Sequence, residues 1–369
     1  MLPQSYNRCW VEIDLAALRE NLNSIRRRLA PHTRILAVVK ADAYGHGLPQ
    51  VAATLMQSGV DGFGVANLAE AITLRQLGGP GWPILLFGSA LSFEIEKLVE
   101  QNITPTISNL AEAEQFEAVA TGQNRQLPIQ IEIDTGMGRV GLWHESAAET
   151  VRQIAALPHL RITGLYTHFP SADDDAGATQ QELELFLALA RQLNLAVPLH
   201  AANSAALLNF PATHLDLVRP GLALYGIAPQ MTPMLTFKSR VAFVKDVAAG
   251  RTISYGQTFT AQRSMKIATI AAGYADGFQR HLSNQAYVLV AGVRCPIVGR
   301  VTMDQIMADV TAVTAVHSGD EVVFIGRQGS EEITATEVAG WCGTIAWEVL
   351  CNITKTVRVP RVYRGTAAA

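Results

Sequence analysis

Residues with catalytic chemistry follow a series of short apolar runs in the first two thirds of the sequence. These residues are Lys40, Asn67, Ser89, Asp134, His168, Asn203 with Ser204, and Arg219. Lys40 follows the run Ile-Leu-Ala-Val-Val, so its amine is expected at the end of a buried strand. Desolvation disfavours the charged form of an amine, and a neutral amine is what Schiff-base chemistry requires. An ordinary lysine at a strand end would also fit this position.

The spacing of these residues indicates the elements that carry them. Apolar runs alternate with helix-like stretches such as 67–77, 109–120 and 179–193. Alternating strands and helices form parallel βα units, and about eight units close into a (β/α)8 barrel, whose strand ends form one catalytic rim. The predicted strands are 35–40, 62–67, 84–89, 104–108, 129–134, 162–168, 198–204 and 215–219. Polar residues also end strands at ordinary turns, so the whole series is more informative than any one member.

After about residue 235 the pattern changes to short β-branched segments without helix-length spacers. These segments are 240–247, 266–271, 286–290, 305–310 and 321–325. Gly and Pro turns separate them, which is typical of antiparallel strands. We therefore expect an α/β protein, with an N-terminal (β/α)8 barrel over residues 1–235 and a mostly antiparallel β domain over residues 236–369. A strand-like segment at 9–14 is compatible with either domain.

Composition restricts the class of protein. The chain has 369 residues, of which 49% are hydrophobic and 17% charged, and its formal net charge is −3. Without a cluster of Lys and Arg, no nucleic-acid or anionic-membrane partner is expected. No apolar stretch approaches the ~18 residues of a membrane span, and the N-terminal segment does not have the pattern of a signal peptide. The four cysteines have no C-x-x-C pairing, which favours a cytoplasmic enzyme with reduced cysteines and no metal site.

Nine motifs occur in order along the chain, beginning with Val-Lys-Ala-Asp-Ala-Tyr-Gly-His-Gly. They lie at 39–47, 134–139, 167–169, 200–204, 219–221, 254–256, 273–277, 299–305 and 358–361. The ordered set resembles the alanine racemase family, whose members use pyridoxal 5′-phosphate (PLP). The resemblance implies a PLP-binding (β/α)8 barrel followed by a β domain. It also implies a homodimer with shared active sites, each completed by the β domain of the partner subunit.

The resemblance assigns cofactor contacts to residues within these motifs. Lys40 would bind PLP as a Schiff base, and Arg219 would face the pyridine nitrogen. An arginine stays protonated, so it can donate to this nitrogen without transferring a proton. Short hydroxyls and backbone N–H groups suit the phosphate. The residues expected to contact PLP are Lys40, Tyr44, His168, Asn203, Ser204, Arg219, Gly221, Leu222 and Trp347.

The resemblance also implies how alanine would be bound and racemised. Racemisation removes the α-proton from one face and returns a proton to the other, and Lys40 and Tyr255 of the partner subunit would serve the two faces. Arg139 and the backbone N–H of Met303 would bind the substrate carboxylate. Tyr274 would narrow the substrate entrance. Glu132, His200 and Asp304 would be supporting residues, the last without an assigned role.

Two positions depart from the family pattern. Glu132 stands where many members have a lysine that becomes carbamylated, so here the carboxylate would be present from the outset. Trp347 stands where the family normally has a tyrosine that contacts the phosphate and lines the substrate pocket. An indole has a single N–H donor and more bulk, so the phosphate contact and the pocket size are both in question.

The expected function is PLP-dependent interconversion of L- and D-alanine, which in bacteria supplies D-alanine for peptidoglycan. One alternative is a racemase with significant serine activity, because one hydroxyl group changes little in a small pocket. A second is a PLP amino-acid decarboxylase on the related fold. Arg139, which would bind the carboxylate, and Tyr255, which would be the second base, argue against this alternative. A third is a non-catalytic PLP carrier, which would leave the β domain unexplained.

Overall fold

The structure is a computed structural model that describes residues 6–353 and 358–365. The chain divides into two compact units, which we call the barrel unit and the β unit. The barrel unit consists of Arg19–Ala43 and Leu48–Leu224. The β unit consists of Met1–Leu18, Tyr44–Gly47 and Tyr225–Ala369. None of the helices in these described residues is long and apolar enough to cross a membrane.

The strands are numbered in chain order. They are β1 (Cys9–Asp14), β2 (Arg34–Val38), β3 (Gly62–Val65), β4 (Ile84–Leu86), β5 (Thr104–Ile107), β6 (Leu127–Asp134), β7 (Leu142–Trp143), β8 (Leu160–Tyr166), β9 (Leu199–His200), β10 (Leu217–Val218), β11 (Leu235–Val247), β12 (Thr252–Ile253), β13 (Phe259–Thr260), β14 (Met265–Ile270), β15 (Tyr287–Val290), β16 (Val293–Pro296), β17 (Ile306–Asp309), β18 (Glu321–Gln328), β19 (Glu331–Ile333) and β20 (Arg361–Arg364).

The helices are numbered in the same way. They are α1 (Leu15–Arg26), α2 (Leu48–Gln57), α3 (Leu68–Gly78), α4 (Ile95–Glu100), α5 (Leu110–Gly122), α6 (Ala147–Ala155), α7 (Ala176–Leu193), α8 (Ser204–Asn209), α9 (Ala335–Cys342) and α10 (Ala346–Ile353). Side-chain caps fix where several of them begin. The side chain of Asn67 accepts from the backbone of Glu70 at the start of α3, and Asn109 does the same for Glu112 at the start of α5.

Eight parallel strands follow one another in the nine-stranded sheet of the barrel unit, in the order β10-β2-β3-β4-β5-β6-β8-β9, and β7 pairs with β6. The two end strands approach each other, since the N–H of Asp216 donates to Leu199 O (3.1 Å) and that of Arg219 to Ala202 O (2.9 Å). The helices α2 to α8 connect successive strands of this sheet. β3 and β4 are buried along their whole length, as expected for parallel strands covered by helices. The predicted (β/α)8 barrel is thus confirmed as a nearly closed barrel.

The β unit contains a sheet in the order β16-β15-β18-β11-β1-β20, with β14 pairing both β11 and β17. Its strands are antiparallel except for the β1–β20 pair, which confirms the expected mostly antiparallel domain. β1 pairs with β11 in the register Cys9 to Ser239, so the segment compatible with either domain belongs to this sheet. Alternate residues of β11 are buried, and the rings of Phe237 and Phe324 lie 4.8 Å apart in the core. Helices α9 and α10 were not anticipated from the sequence.

Candidate active site

Lys40 begins a left-handed turn directly after the buried strand β2. The three residues that follow it have φ values of 53° to 55° and ψ values of 47° to 49°. None of them is glycine, and this conformation costs an L-residue roughly 1–2 kcal/mol. Specific contacts hold the turn: the Ala41 N–H donates to Glu70 Oε1 (2.7 Å), and Asp42 Oδ1 accepts from the Leu48 N–H (2.7 Å). The direction of the chain after Lys40 is therefore imposed by its surroundings.

Only one other lysine lies in the barrel unit, Lys97 on helix α4. Its Nζ contacts Glu100 Oε2 at 2.8 Å on an exposed face of that helix. Such an exposed pair leaves the Lys97 amine in contact with water. Lys40 is consequently the only lysine of the barrel unit that follows a barrel strand.

Arg219 follows β10, next to β2 in the barrel, and is only 3% exposed. Its Nη1 donates to His200 Nδ1 at 2.8 Å. Its Nη2 donates to the carbonyl oxygens of Thr167 (2.7 Å) and Ala201 (3.1 Å) and lies 3.5 Å from His168 Nδ1. Burial lowers the pKa of Arg219 to about 10, so the guanidinium keeps its charge near neutral pH. These contacts fix the direction of the guanidinium plane.

The protonation of His200 follows from its two partners. Arg219 has only donors, so His200 Nδ1 must accept, and the ring proton lies on Nε2. Nε2 donates in turn to Gln130 Oε1 at 2.8 Å. Burial, and then the charge of Arg219, hold the pKa of His200 well below its usual range. A chain of hydrogen bonds therefore runs from Arg219 through a neutral His200 to Gln130.

His168 lies where the positive charges of the barrel unit converge. Its pKa is lowered to about 3, first by burial and then by the charges of Arg219, Arg139 and Lys40. The imidazole is therefore neutral at physiological pH. Three cations near one neutral ring give this end of the barrel the electrostatics of an anion-binding site.

Glu132 supplies negative charge to the same region and is only 3% exposed. The Tyr166 hydroxyl donates to Glu132 Oε2 at 2.8 Å. Burial raises the pKa of Glu132, while this hydrogen bond and the charges of Arg219 and Arg139 oppose the rise. The Tyr166 ring stacks on His200 with centroids 4.9 Å apart, and the Arg219 guanidinium carbon lies 5.0 Å from the ring centroid.

A polar turn after β9 carries Asn203 and Ser204. The Asn203 side chain accepts from the Ala206 N–H (2.9 Å) and begins α8. Ser204 Oγ accepts from the N–H groups of Gly221 (2.9 Å) and Ala223 (3.1 Å). With both lone pairs used, the Ser204 hydroxyl proton is available to donate to an anion. Leu222, between these two donors, is half-buried.

The loop that leads to Arg139 is held by the last residue of β6. The Asp134 carboxylate accepts from the N–H groups of Gly136 (3.0 Å) and Gly138 (3.0 Å). Gly138 has φ of +66°, a conformation that glycine adopts without steric cost. Arg139 itself is exposed, which leaves its guanidinium accessible to a small anionic ligand.

The remaining predicted site residues belong to the β unit: Tyr44, Tyr255, Tyr274, Met303, Asp304 and Trp347. Tyr255 is 72% exposed, and Tyr274 and Met303 are also exposed. Exposed aromatic and Met side chains of this size are common where a partner or ligand binds. The backbone joins two of these residues, because the Tyr274 N–H donates to Thr302 O (3.0 Å), next to Met303. Trp347 is half-buried on α10.

Two residues of the charged network were missed by sequence reasoning, Gln130 and Tyr166. A signal for Gln130 existed, since Gln130, Glu132 and Asp134 alternate along an otherwise apolar strand and so share one face. Polar residues repeated on one face of a buried strand indicate a hydrogen-bonded network. Tyr166 carries no comparable signal, because an aromatic residue in a core strand is ordinary.

The chain matches two family profiles that together cover most of its length. Residues 13–229 match the N-terminal domain of alanine racemase, and residues 234–363 match its C-terminal domain. The alanine racemase of Halothermothrix orenii is 42% identical over 96% of this chain and 97% of its own length. These profiles define a racemase, a class of isomerase, built from a barrel and a β domain.

Solved structures agree with the profiles. Alanine racemase from Clostridium difficile 630 superposes with a TM-score of 0.91 at 35% identity, covering 97% of this chain and 96% of that one. Alanine racemase from Bartonella henselae with covalently bound pyridoxal phosphate superposes with a TM-score of 0.90 at 28% identity, covering 97% of this chain and 99% of that one. The chain belongs to the alanine racemase family, which is PLP-dependent in general.

Proposed function

We propose that this protein interconverts L-alanine and D-alanine with PLP bound covalently to Lys40. The observation that carries the proposal is the buried Arg219, held by His200 and two backbone carbonyl oxygens after β10, the strand that pairs with β2, after which Lys40 lies. Arg139 offers positive charge for the substrate carboxylate, while hydroxyl and backbone N–H donors suit the phosphate. The membership of the chain in the alanine racemase family supports the choice of substrate.

The donor set of the barrel unit fits PLP. The Ser204 hydroxyl proton is available for the phosphate, and we propose that Tyr44, the Leu222 N–H and Trp347 complete its binding. The expected contact of the Gly221 N–H is replaced in this structure by its hydrogen bond to Ser204 Oγ. Asn203 fixes the turn that carries Ser204. When bound, PLP makes the α-proton of an attached amino acid acidic.

Arg219 is proposed to donate a hydrogen bond to the pyridine nitrogen. Its guanidinium is fixed by His200 and by two backbone carbonyl oxygens, so it needs no rearrangement to do so. With a pKa of about 10, it holds its own proton at neutral pH. The hydrogen bond therefore orients the ring without protonating it.

Two bases are proposed to act on opposite faces of the substrate. Lys40 moves the α-proton on one face, and Tyr255 of the partner subunit moves it on the other. The exposure of Tyr255 suits a residue that completes the site of another subunit, and we therefore propose a homodimer with shared active sites. Arg139 and the Met303 N–H are proposed to bind the carboxylate, with Tyr274 at the entrance.

The proposed biological role is the supply of D-alanine for peptidoglycan, by a cytoplasmic enzyme. A coupled assay for D-alanine tests the activity, using wild type, Lys40→Ala and Tyr255→Phe side by side. Wild type should form D-alanine from L-alanine, and Lys40→Ala should have no measurable activity. Tyr255→Phe should lose at least about a hundredfold in kcat, since general acid–base catalysis contributes roughly 10²–10⁴-fold.

The same incubation distinguishes the alternatives. Release of ethylamine from L-alanine would identify a decarboxylase, and absence of turnover with bound PLP would identify a carrier. A serine assay run in parallel measures the second substrate. If Tyr255→Phe kept full rates in both directions, the two-base mechanism would be wrong even though the racemase activity stood.

A further inference from the structure

Arg358 lies in the last of the nine motifs, and the proposed function gives it no role. Its Nε contacts Asp276 Oδ1 at 3.1 Å, and its Nη2 contacts Asp304 Oδ1 at 2.7 Å. Asp276 is only 3% exposed, whereas Asp304 is exposed. One guanidinium therefore joins a buried carboxylate to a surface carboxylate, with the planar geometry that arginine provides.

Each carboxylate belongs to a loop that carries a proposed substrate-facing residue. Asp276 lies in the Tyr274 loop (residues 273–277), and its Oδ2 accepts from the Gly273 N–H at 3.0 Å. Asp304 belongs to the Met303 loop (residues 302–305). Arg358 thus contacts the residue that directly follows Met303 and the second residue after Tyr274.

The two loops are also in direct backbone contact. The N–H groups of Tyr274 and Ala275 donate to the carbonyl oxygens of Thr302 (3.0 Å) and Met303 (3.1 Å). A Cβ at Gly273 would lie 2.2 Å from Thr302 O, so this approach requires glycine. The two carboxylates on Arg358 add a side-chain connection between the loops to these backbone hydrogen bonds.

We infer that Arg358 is a positioning residue that locks the Tyr274 loop to the Met303 loop through Asp276 and Asp304. The inference rests on the proposed function, in which the Met303 N–H binds the substrate carboxylate and Tyr274 narrows the entrance. It assigns Asp304 a role, as the surface anchor of this lock. Binding geometry is sensitive to small displacements, so loss of the lock weakens substrate binding before it affects the proton transfers.

The alternative is a contact that only stabilises the fold. The side chain of Arg358 is 45% exposed, and that of Asp304 is 60% exposed. Exposed ion pairs contribute little to stability, because solvent screens them. Asp304→Asn therefore leaves the thermal midpoint near that of the wild type, and it leaves the pair between Arg358 and the buried Asp276 intact.

The test compares PLP-loaded wild type with Asp304→Asn, Arg358→Met, the double variant and Arg358→Lys. The side chains of Asp276, Asp304 and Arg358 line a cavity of about 480 Å³. Asn at position 304, and Met or Lys at position 358, therefore fit without steric conflict. The control is Arg327→Met, which removes an arginine ion pair with Glu332 elsewhere in the β unit. The measurements are kcat and KM for both alanine enantiomers, the thermal midpoint, and amide hydrogen exchange in the two loops.

The lock predicts that KM for alanine rises about fivefold in Asp304→Asn and Arg358→Met, while kcat stays within about twofold. The double variant is no worse than Arg358→Met, because Arg358→Met already removes the contact that Asp304→Asn breaks. Arg358→Lys recovers part of the loss, since it retains the charge but not the planar fork. Amide exchange becomes faster in both loops in the first three variants, and Arg327→Met behaves like the wild type.

Unchanged exchange in both loops would overturn the inference whatever the activity. An unchanged KM with a lowered thermal midpoint would also overturn it and leave a purely structural contact. If wild type does not racemise alanine, the proposed function fails, and the exchange measurement still decides whether the lock exists.

Discussion

Arg219 donates to the Nδ1 of His200 at 2.8 Å, and both side chains are buried. This bond forces the proton of His200 onto Nε2, where it is donated to Gln130 Oε1. Arg219 is proposed to face the pyridine nitrogen. Its orientation therefore depends on the side-chain amide of Gln130, two hydrogen bonds away.

Replacing Gln130 should weaken this chain of hydrogen bonds. Gln130→Met leaves the Nε2 proton of His200 without its acceptor, and we expect the free energy of unfolding to fall by about 1–2 kcal/mol. The activity should fall as Arg219 loses its fixed support. Gln180→Met, which removes a hydrogen bond to Glu184 on the exposed face of α7, is the matched control. Urea unfolding of both variants checks the effect, and equal stabilities would contradict it.

The neutral state of His168 predicts how stability depends on pH. Its pKa is about 3 in the folded protein, against an ordinary value of 6.5. As pH falls below about 6.5, the unfolded chain binds a proton at this position and the folded protein does not, so stability is present above pH 6.5 and is lost progressively toward pH 3. His168→Gln should therefore lose about 1 kcal/mol less stability than wild type between pH 7.5 and 5.5.

Urea unfolding at the two pH values measures this difference. His32→Gln, at an exposed position, is the control and should follow the wild type. If the stability of His168→Gln fell as much as that of wild type, the ring would be protonated in the folded protein.

Because position 132 is a glutamate, we predict that the activity does not depend on carbamylation of a lysine. The barrel unit has lysines only at positions 40 and 97, so the carboxylate near Arg139 is that of glutamate itself. Exclusion of bicarbonate should leave the activity of wild type unchanged. Glu132→Lys places a buried cation near Arg139 and Arg219, and should cost about tenfold in kcat/KM, partly restored by bicarbonate.

An exposed glutamate provides the comparison for this variant. Glu149→Lys, on the surface of α6, should retain wild-type activity with or without bicarbonate. A crystal structure with an N-carboxylated lysine near Arg139 would refute the interpretation of Glu132.

Because Trp347 stands where the family normally has a tyrosine, we predict an altered contact with the PLP phosphate and an altered substrate pocket. Trp347→Tyr replaces an indole by a smaller ring with a hydroxyl that both donates and accepts. We expect a severalfold gain in PLP affinity and a higher rate with serine relative to alanine. Trp341→Tyr on α9, whose ring lies 5.8 Å from that of Tyr287, is the control. Unchanged cofactor affinity and unchanged substrate preference in Trp347→Tyr would show that the residue has no part in the site.

The barrel could be predicted because its strands and helices alternate regularly. Lys40, His168 and Arg219 each follow the buried C-terminal end of a strand, and parallel strands bring these ends to one rim. The electrostatic coupling of these residues follows from that topology. The side chains that support them are less visible, because the partner of Glu132 is Tyr166, which lies 34 residues away in sequence.

Other features could not be predicted, for identifiable reasons. The left-handed turn after Lys40 contains no glycine, and only tertiary contacts such as that of Ala41 with Glu70 impose it. Helices α9 and α10 follow a series of short β strands. The local pattern of apolar residues does not distinguish these helices from further strands. The contact of Arg358 with two carboxylates joins residues 54 and 82 positions away, which no local spacing reveals.

Borohydride reduction shows whether PLP is attached covalently to Lys40. Purified protein would be reconstituted with PLP, reduced, digested and examined by mass spectrometry across the six lysines of the chain. We predict a stable pyridoxyl group on the peptide that contains Lys40, and none at this site in Lys40→Ala. An adduct confined to any other lysine, or no adduct at all, would show that Lys40 does not bind PLP.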